Sequence, residues 1–293
     1  AYKRRYIKMI DGFEIQKRYE NLPHGEQRLQ AIKNAIALAD AEKDYEFMYI
    51  FRSDLMSESE LYGDSFQAFL TFPEMIKIFD EHEEELEKYK HDYIWEFKWI
   101  LSDCEDFYQV SKAKVYELFA EFRKRCERYG YSLRPYYQCL YHFEKACDKQ
   151  AAKKAYQQFI LAKRDELADC YACELNAMVG YELNTASMGR ALETAYPILS
   201  GQVSCTEIPD VTYNNIMHRY YELGDFEKAE EYRKKCYRRI SKNSSYLFII
   251  GDMLKLYSKT DLTKGVKLFE KHLAWVFTSK NPHSNMKFYI GAA

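Results

Sequence analysis

Three cysteines are the residues of this sequence whose type and spacing best suit chemistry. Cys170 and Cys173 stand three positions apart in the segment "DCYACE", so a helix would present both thiols on one face, and Cys205 follows later in the chain. Thiolates at this spacing chelate zinc, and a CxxC pair also supports thiol–disulfide exchange. The same thiols can equally serve as small side chains in a core or groove. These three interpretations stay open.

A closed zinc site needs a fourth ligand, and Cys139, His142 and His218 are the candidates. The sequence has no second CxxC and none of the motifs HExxH, GxxxxGK or GxGxxG. A thioredoxin-type CxxC would follow a strand, and none is predicted. We therefore expect packed thiols, no cofactor and no enzymatic activity, while Cys170, Cys173 and Cys205 remain the metal candidates.

The overall composition favours long helices joined by short connections. The chain has 293 residues, 47% of them hydrophobic, with only Gly 11 and Pro 6. Lys+Arg 43 against Asp+Glu 45 leaves a net charge of -2, which gives no general attraction to nucleic acid or to an anionic membrane. No apolar run could cross a bilayer, and the start "AYKRRYIKMI" lacks the apolar core of a signal peptide. We expect a cytoplasmic protein without a membrane or nucleic-acid partner.

The stretch "YYELGDFEKAEEYRKKC" (220–236) predicts a helix end, a tight turn and a second helix. Gly224 permits the positive φ that ends the first helix, and Ala229 is small where two paired helices would cross. Three small residues fall at the equivalent position of other segments: Ala152, Ala191 and Gly265. The chain is therefore predicted to repeat one helix pair.

This pattern of a large residue, a Gly-Asp-aromatic turn and a crossing alanine resembles the tetratricopeptide repeat family, and we take the chain for a bacterial member. The resemblance implies an all-α fold, a right-handed α-solenoid of about seven antiparallel helix pairs. Residues 27–277 would form the solenoid, irregular over 57–130 and regular over 133–272. An N-terminal extension or capping segment (1–26) and the start of a C-terminal capping helix that is cut off (278–293) would flank it. In the irregular part, Pro73 is expected to open a second helix and Ser111 to cap one.

Proteins of this family bind partners in the concave groove that the first helix of each pair lines. Transferring the family's groove positions gives seven candidates: Arg134, Tyr137, Tyr141, Asn176, Asn214, His218 and Tyr221. Aromatic area together with hydrogen-bonding groups suits an extended peptide or a helix. The family's two-lysine carboxylate clamp is not reproduced at matching positions. The expected function is a non-enzymatic scaffold that binds a protein or peptide.

Several alternatives remain. The chain also resembles peptide-sensing cytoplasmic regulators of the Gram-positive quorum type, and it could be the docking or regulatory domain of a larger protein. The groove could instead be covered by the protein's own C-terminal segment. The acidic run 80–88 and the basic runs 123–128 and 233–239 are interpreted as solvated faces. Self-association into a homo-oligomer through charge complementarity, or contact with a nucleic-acid backbone, is left open.

Overall fold

A computed structural model describes residues 11–293, apart from the side chain of Glu105. Every regular element in this range is helical, which confirms the all-α prediction. The chain divides into two compact units, Ala1–Tyr131 and Ser132–Ala293, here called the N-terminal unit and the C-terminal unit.

The N-terminal unit consists of consecutive helices, each packed on a neighbour in sequence. They are α1 (Gly12–Glu20), α2 (Glu26–Glu42), α3 (Tyr45–Leu61), α4 (Ser65–Glu81), the single turn α5 (Glu83–Leu86), α6 (Lys90–Asp103) and α7 (Lys112–Tyr129). Ser111 caps α7 as predicted, because its hydroxyl accepts the N–H of Lys114 at 3.3 Å.

The prediction that Pro73 opens a helix is wrong, because Pro73 lies inside α4. The helix begins earlier, where Gly63 adopts a φ of 78° and the carboxylate of Asp64 accepts the N–H of Gln67 at 3.2 Å. A glycine turn followed by a side-chain cap is a stronger start signal than a proline alone. One long helix therefore replaces the expected pair.

The acidic and basic runs of the N-terminal unit pair with each other. Arg125 of α7 contacts Asp80 of α4 at 2.5 Å, and Arg128 pairs with Glu83 of α5. Arg125 also donates to the hydroxyl of Tyr93 at 2.6 Å. Part of the charge that would be available for self-association is therefore used inside this unit.

The C-terminal unit contains four successive helix pairs and a final helix. The helices are α8 (Arg134–Cys147), α9 (Lys149–Leu161), α10 (Tyr171–Thr185), α11 (Met188–Leu199), α12 (Asp210–Glu222), α13 (Phe226–Ile240), α14 (Leu247–Thr260), α15 (Leu262–Thr278) and α16 (Pro282–Ala292). The first helices of neighbouring pairs also pack on one another, α10 on α12 and α12 on α14. They form a common face.

Local sequence signals explain these pairs. Gly224 has a φ of 75°, and the Asp225 carboxylate accepts the N–H of Lys228 at 3.0 Å, so α12 ends and α13 begins within three residues. Ala191 and Ala229 are completely buried, as expected of small residues between closely packed helices. The turn at Gly224 and the buried small residues Ala191 and Ala229 therefore agree with the prediction.

The last helix, α16, docks on α14 through a close backbone approach. A Cβ atom at Gly251 of α14 would lie 2.5 Å from the carbonyl oxygen of Lys287, well inside van der Waals contact. Phe288 is fully buried beside this contact. Only glycine fits at position 251 with α16 in place.

Replacing Gly251 with alanine should therefore destabilise the protein by about 1–3 kcal/mol, because the added methyl group forces α16 away from α14. Gly180→Ala in α10 is the matched control, since nothing lies within 4 Å of a Cβ atom there. That change should stabilise its helix by up to about 1 kcal/mol. Denaturant unfolding of both variants tests the prediction, and shifts of the same sign would contradict it.

Candidate functional site

A polar groove lies on the face of the C-terminal unit formed by the first helices of the pairs and by α16. Its volume is ≈ 250 Å³. Helix α12 supplies Asn214, Asn215, His218, Arg219 and Glu222. The neighbouring helices add Lys145 from α8, Gly180, Leu183 and Asn184 from α10, Phe248 and Asp252 from α14, and Lys287 from α16. Together these residues define the polar groove.

Asn214, which lines the polar groove, has a side-chain oxygen without a hydrogen-bond partner among the described residues. The residue is 5% exposed, and its Nδ2 donates to the carboxylate of Asp252 at 2.8 Å. A carboxylate accepts and does not donate, so this contact fixes the amide orientation. The other amide atom, Oδ1, is buried and has no hydrogen-bond partner among the described residues. Leaving such an acceptor unpaired costs about 1–3 kcal/mol, which a donor from a ligand would recover.

Charges of both signs surround this amide. The Glu222 carboxylate lies 3.1 Å from Arg219 Nη1 and 3.5 Å from His218 Nδ1. Lys287 Nζ lies 3.7 Å from the carboxylate of Asp252, the same group that holds Asn214. The polar groove can therefore meet both the donors and the acceptors of a bound backbone.

Of the seven residues predicted for the groove, Asn214 and His218 line the polar groove. Tyr221 lies near it, with its ring 6.2 Å from that of His218 and 6.0 Å from that of Phe226. Asn176 lies outside it and accepts a hydrogen bond from Thr212 Oγ1 at 2.8 Å. The structure therefore places two of the predicted residues, both on α12, in the polar groove.

Arg134 is a buried residue whose guanidinium binds groups inside the C-terminal unit. Its guanidinium donates to the two carboxylate oxygens of Glu174 at 2.7 and 3.0 Å. Nη1 donates to the backbone carbonyls of Phe159 and Ala162 at 2.9 and 2.8 Å. Arg164 is a second partner of the same carboxylate. This network joins α8, α10 and the connection 162–170.

Tyr141 is also turned inward. It is 3% exposed and packs edge-on against Tyr156 and Tyr181, with ring centroids 5.3 and 6.0 Å away. Tyr156 and Tyr181 stack at 3.6 Å, and burial raises the pKa of Tyr156 to about 12. Tyr137 is half-buried against Tyr136 at 5.0 Å. These rings pack the helix pairs together.

Sequence reasoning missed the charged partners of α12. Asp252 and Lys287 belong to α14 and α16, and Lys145 belongs to α8. They are far apart in sequence, so only the stacking of the pairs reveals them. One local signal was present, because His218 and Glu222 stand four positions apart on one helix.

The three cysteines singled out by spacing come together in the structure. The Sγ atoms of Cys170, Cys173 and Cys205 all lie within 4.8 Å of one another, and those of Cys173 and Cys205 are 3.4 Å apart. Within residues 11–293 no further His, Cys, Asp or Glu ligand atom belongs to this group. Cys139, His142 and His218 are therefore not the fourth ligand that the sequence suggested.

Two thiols of this cluster, Cys170 and Cys173, differ in the direction of their pKa shifts. Burial raises the pKa of Cys173, and the two neighbouring thiols raise it further. At Cys170 burial acts in the same direction, but interactions with the amides and thiols around it outweigh burial and lower the pKa. Cys170 is also the exposed member of the group, so the thiolate forms most readily where solvent can reach it.

The N-terminal unit contains a larger but less polar cleft of ≈ 560 Å³. Its lining is mainly apolar and includes Phe69, Phe72, Ile76, Val110 and Leu118. It offers packing area with few directional groups. We therefore take the polar groove as the candidate functional site.

Comparison of the chain with family models, with curated proteins and with solved structures finds no match. In the part of the chain that the structure describes, no helix combines the length and apolar character needed to span a membrane.

Proposed function

We propose that this protein is a non-enzymatic, tetratricopeptide-like scaffold of the cytoplasm that holds an extended peptide segment in the polar groove. The observation that carries the proposal is the side-chain oxygen Oδ1 of Asn214, which is buried and has no hydrogen-bond partner in a residue that lines this groove. An extended peptide leaves its backbone N–H groups unpaired, and one of them would satisfy this acceptor.

The charged residues around Asn214 are also suited to binding an extended peptide. Arg219 and Lys287 can donate to backbone carbonyls or to a terminal carboxylate of the peptide. Glu222 and Asp252 can accept from its amides or from a basic side chain. A groove of mixed charge favours a peptide over a polyanion, because its acidic residues would repel a row of phosphates.

The arrangement of helices supports the tetratricopeptide comparison. The groove lies on the first helices of successive pairs, where that family binds its ligands, and small residues occupy the crossing positions. A peptide-sensing regulator and a docking domain of a larger protein would use such a groove in the same way. No observation favours either of them over the simple scaffold.

The proposal is tested by selecting peptides from a random display library on the full chain and measuring their affinity by fluorescence anisotropy. Asn214→Ala removes the unpaired acceptor, and we expect it to weaken binding about tenfold, the value of one hydrogen bond of about 1.4 kcal/mol. His218→Ala should weaken binding in the same direction.

Asn176→Ala is the matched control, because this asparagine also lies on a first helix but outside the polar groove. This variant should bind the selected peptides with an affinity within about twofold of that of the unmodified chain, because the proposed peptide does not contact residue 176. If Asn214→Ala and His218→Ala bind the selected peptides as tightly as the unmodified chain does, the proposal is wrong.

A further inference from the structure

The cysteine cluster has the geometry of a metal site that does not depend on the polar groove. A tetrahedral zinc ion holds each sulfur at about 2.3 Å, which places the sulfurs about 3.8 Å from one another. The three Sγ atoms already lie within 4.8 Å of one another, with one pair at 3.4 Å. Small side-chain rotations would suffice to bind an ion.

Packing accounts for the positions of two of these thiols but not for that of the third, Cys170. Cys104, Cys126 and Cys236 are buried, as expected of cysteines that serve as core residues. Cys173 and Cys205 are only half-buried, at the edge of a small cluster around Ala172 and Ile208. Cys170 is exposed, so it gains little from burial, yet its sulfur points to the other two.

Two separate backbone segments hold the thiols in place. Cys170 and Cys173 lie one turn apart at the start of α10, where the positive end of the helix favours thiolates. Cys205 lies in the connection between α11 and α12, and its N–H donates to the carbonyl of Ile208 at 3.1 Å. The connection before α10 is anchored by Arg164, which donates to the carbonyl of Asp169 at 2.9 Å.

We propose that Cys170, Cys173 and Cys205 together bind one Zn²⁺ ion through their three thiolates, with water in the fourth position. Soft thiolate ligands select zinc over Mg²⁺ and Ca²⁺, which prefer oxygen. Each thiol that is protonated before binding releases its proton to solvent. The ion would join the start of α10 to the α11–α12 connection and so stabilise the C-terminal unit.

The full chain, purified with reductant and without chelator, should contain about one equivalent of zinc by elemental mass spectrometry. After metal removal, anaerobic titration with Co²⁺ should produce the charge-transfer absorption of a thiolate–cobalt complex, which Zn²⁺ then abolishes. Zn²⁺ should also raise the thermal midpoint of the metal-free chain, because it binds the folded state.

Cys170→Ser and Cys205→Ser should each weaken Zn²⁺ binding by about 100-fold or more and abolish the thermal shift. Cys147→Ser is the matched control, because Cys147 is an exposed cysteine at the end of α8 outside the cluster. It should bind zinc like the unmodified chain. An alkylation experiment needs no variant: Zn²⁺ should protect Cys170, Cys173 and Cys205 from N-ethylmaleimide and leave the rate at the exposed Cys147 unchanged.

Less than about a tenth of an equivalent of zinc, together with no cobalt spectrum, would overturn the proposal. So would undiminished binding by Cys170→Ser, or alkylation of the three cysteines at the same rate with and without Zn²⁺. A Cys173–Cys205 disulfide that persists in reductant and prevents Co²⁺ binding would overturn it too, in favour of a covalent cross-link.

Discussion

Replacing Glu174 with alanine is expected to lower the free energy of unfolding of the C-terminal unit by about 3–5 kcal/mol. The Glu174 side chain is 1% exposed and binds Arg134, whose side chain is 7% exposed. Removing the carboxylate leaves the guanidinium charge buried without its counter-ion. Denaturant titration followed by hydrogen exchange in α8 and α10 measures the loss, since those helices share the network.

Two further variants test whether the lost stability comes from the unpaired buried charge or from the loss of a carboxylate as such. Arg134→Met combined with Glu174→Leu removes both charges together and should recover part of the loss, because no ion of this pair is left unpaired in the interior. Recovery stays incomplete because the carbonyls of Phe159 and Ala162 lose their donor. Glu231→Ala breaks an exposed pair with Lys235 at 2.8 Å on α13 and should cost less than about 1 kcal/mol. A cost for Glu174→Ala as small as that of Glu231→Ala would contradict the prediction.

The hydrogen bonds of Arg134 determine what a loss of peptide binding in an Arg134 variant would mean. Arg134 holds the carbonyls of Phe159 and Ala162 as well as Glu174, so Arg134→Ala should unfold the start of α8 and the 162–170 connection. A loss of peptide binding in that variant would report unfolding. Asn214→Ala is the more informative change, because its Oδ1 acceptor is not used inside the protein, and the unfolding free energy of the variant shows what the lost hydrogen bond from Nδ2 to Asp252 costs.

The parts of the fold that the sequence predicted well are those governed by local rules. A glycine with positive φ followed by a capping aspartate ends one helix and starts the next, whatever surrounds them, as at Gly224 and Asp225. Crossing residues such as Ala229 follow from the need for close packing. Pro73 failed as a start signal because the stronger local signal lay ten residues earlier, at Gly63 and Asp64.

The site was predicted less well because its partners are not local. Transferring groove positions at fixed offsets assumes that every first helix presents the same face, but α8 uses Arg134 and Tyr141 internally. Arg134 is drawn inward by carbonyl groups of the 162–170 connection, whose path the sequence does not reveal. In the same way, CxxC spacing put Cys170 and Cys173 on one face, whereas only the folded α11–α12 connection brings Cys205 to them.

The stability of the N-terminal unit should depend on pH through Glu96 of α6. This carboxyl is 7% exposed, and burial raises its pKa to about 7. Hydrogen bonds from Ser53 and from Tyr49, whose hydroxyl is 3.3 Å away, oppose the shift, while the charges of Asp92 and Asp54 add to it. In the unfolded chain the same group has a pKa near 4.5. The folded state therefore binds one more proton than the unfolded state between these two values.

The stabilisation by the protonated Glu96 is complete below pH 4.5 and is lost as the pH rises through 7. The difference between the two pKa values corresponds to about 3 kcal/mol. Other carboxyls titrate in the same range, so Glu96 is isolated by comparison with Glu96→Gln, which keeps the shape and cannot ionise. Relative to the unmodified chain, this variant should gain about 3 kcal/mol of unfolding free energy from below pH 4.5 to above pH 7.

Glu117→Gln is the control for this comparison, because Glu117 is an exposed carboxylate of α7 that pairs with Lys114 at 2.9 Å. The unfolding free energy of this variant should stay within about 0.5 kcal/mol of that of the unmodified chain at every pH, as for most surface substitutions. Denaturant unfolding of the three proteins across this pH range gives the result. If the unfolding free energies of Glu96→Gln and the unmodified chain differ by the same amount at low and high pH, the prediction is wrong. Glu96 would then ionise in the folded protein at the same pH as in the unfolded chain, because hydrogen bonds from Ser53 and Tyr49 stabilise its charge enough to offset burial.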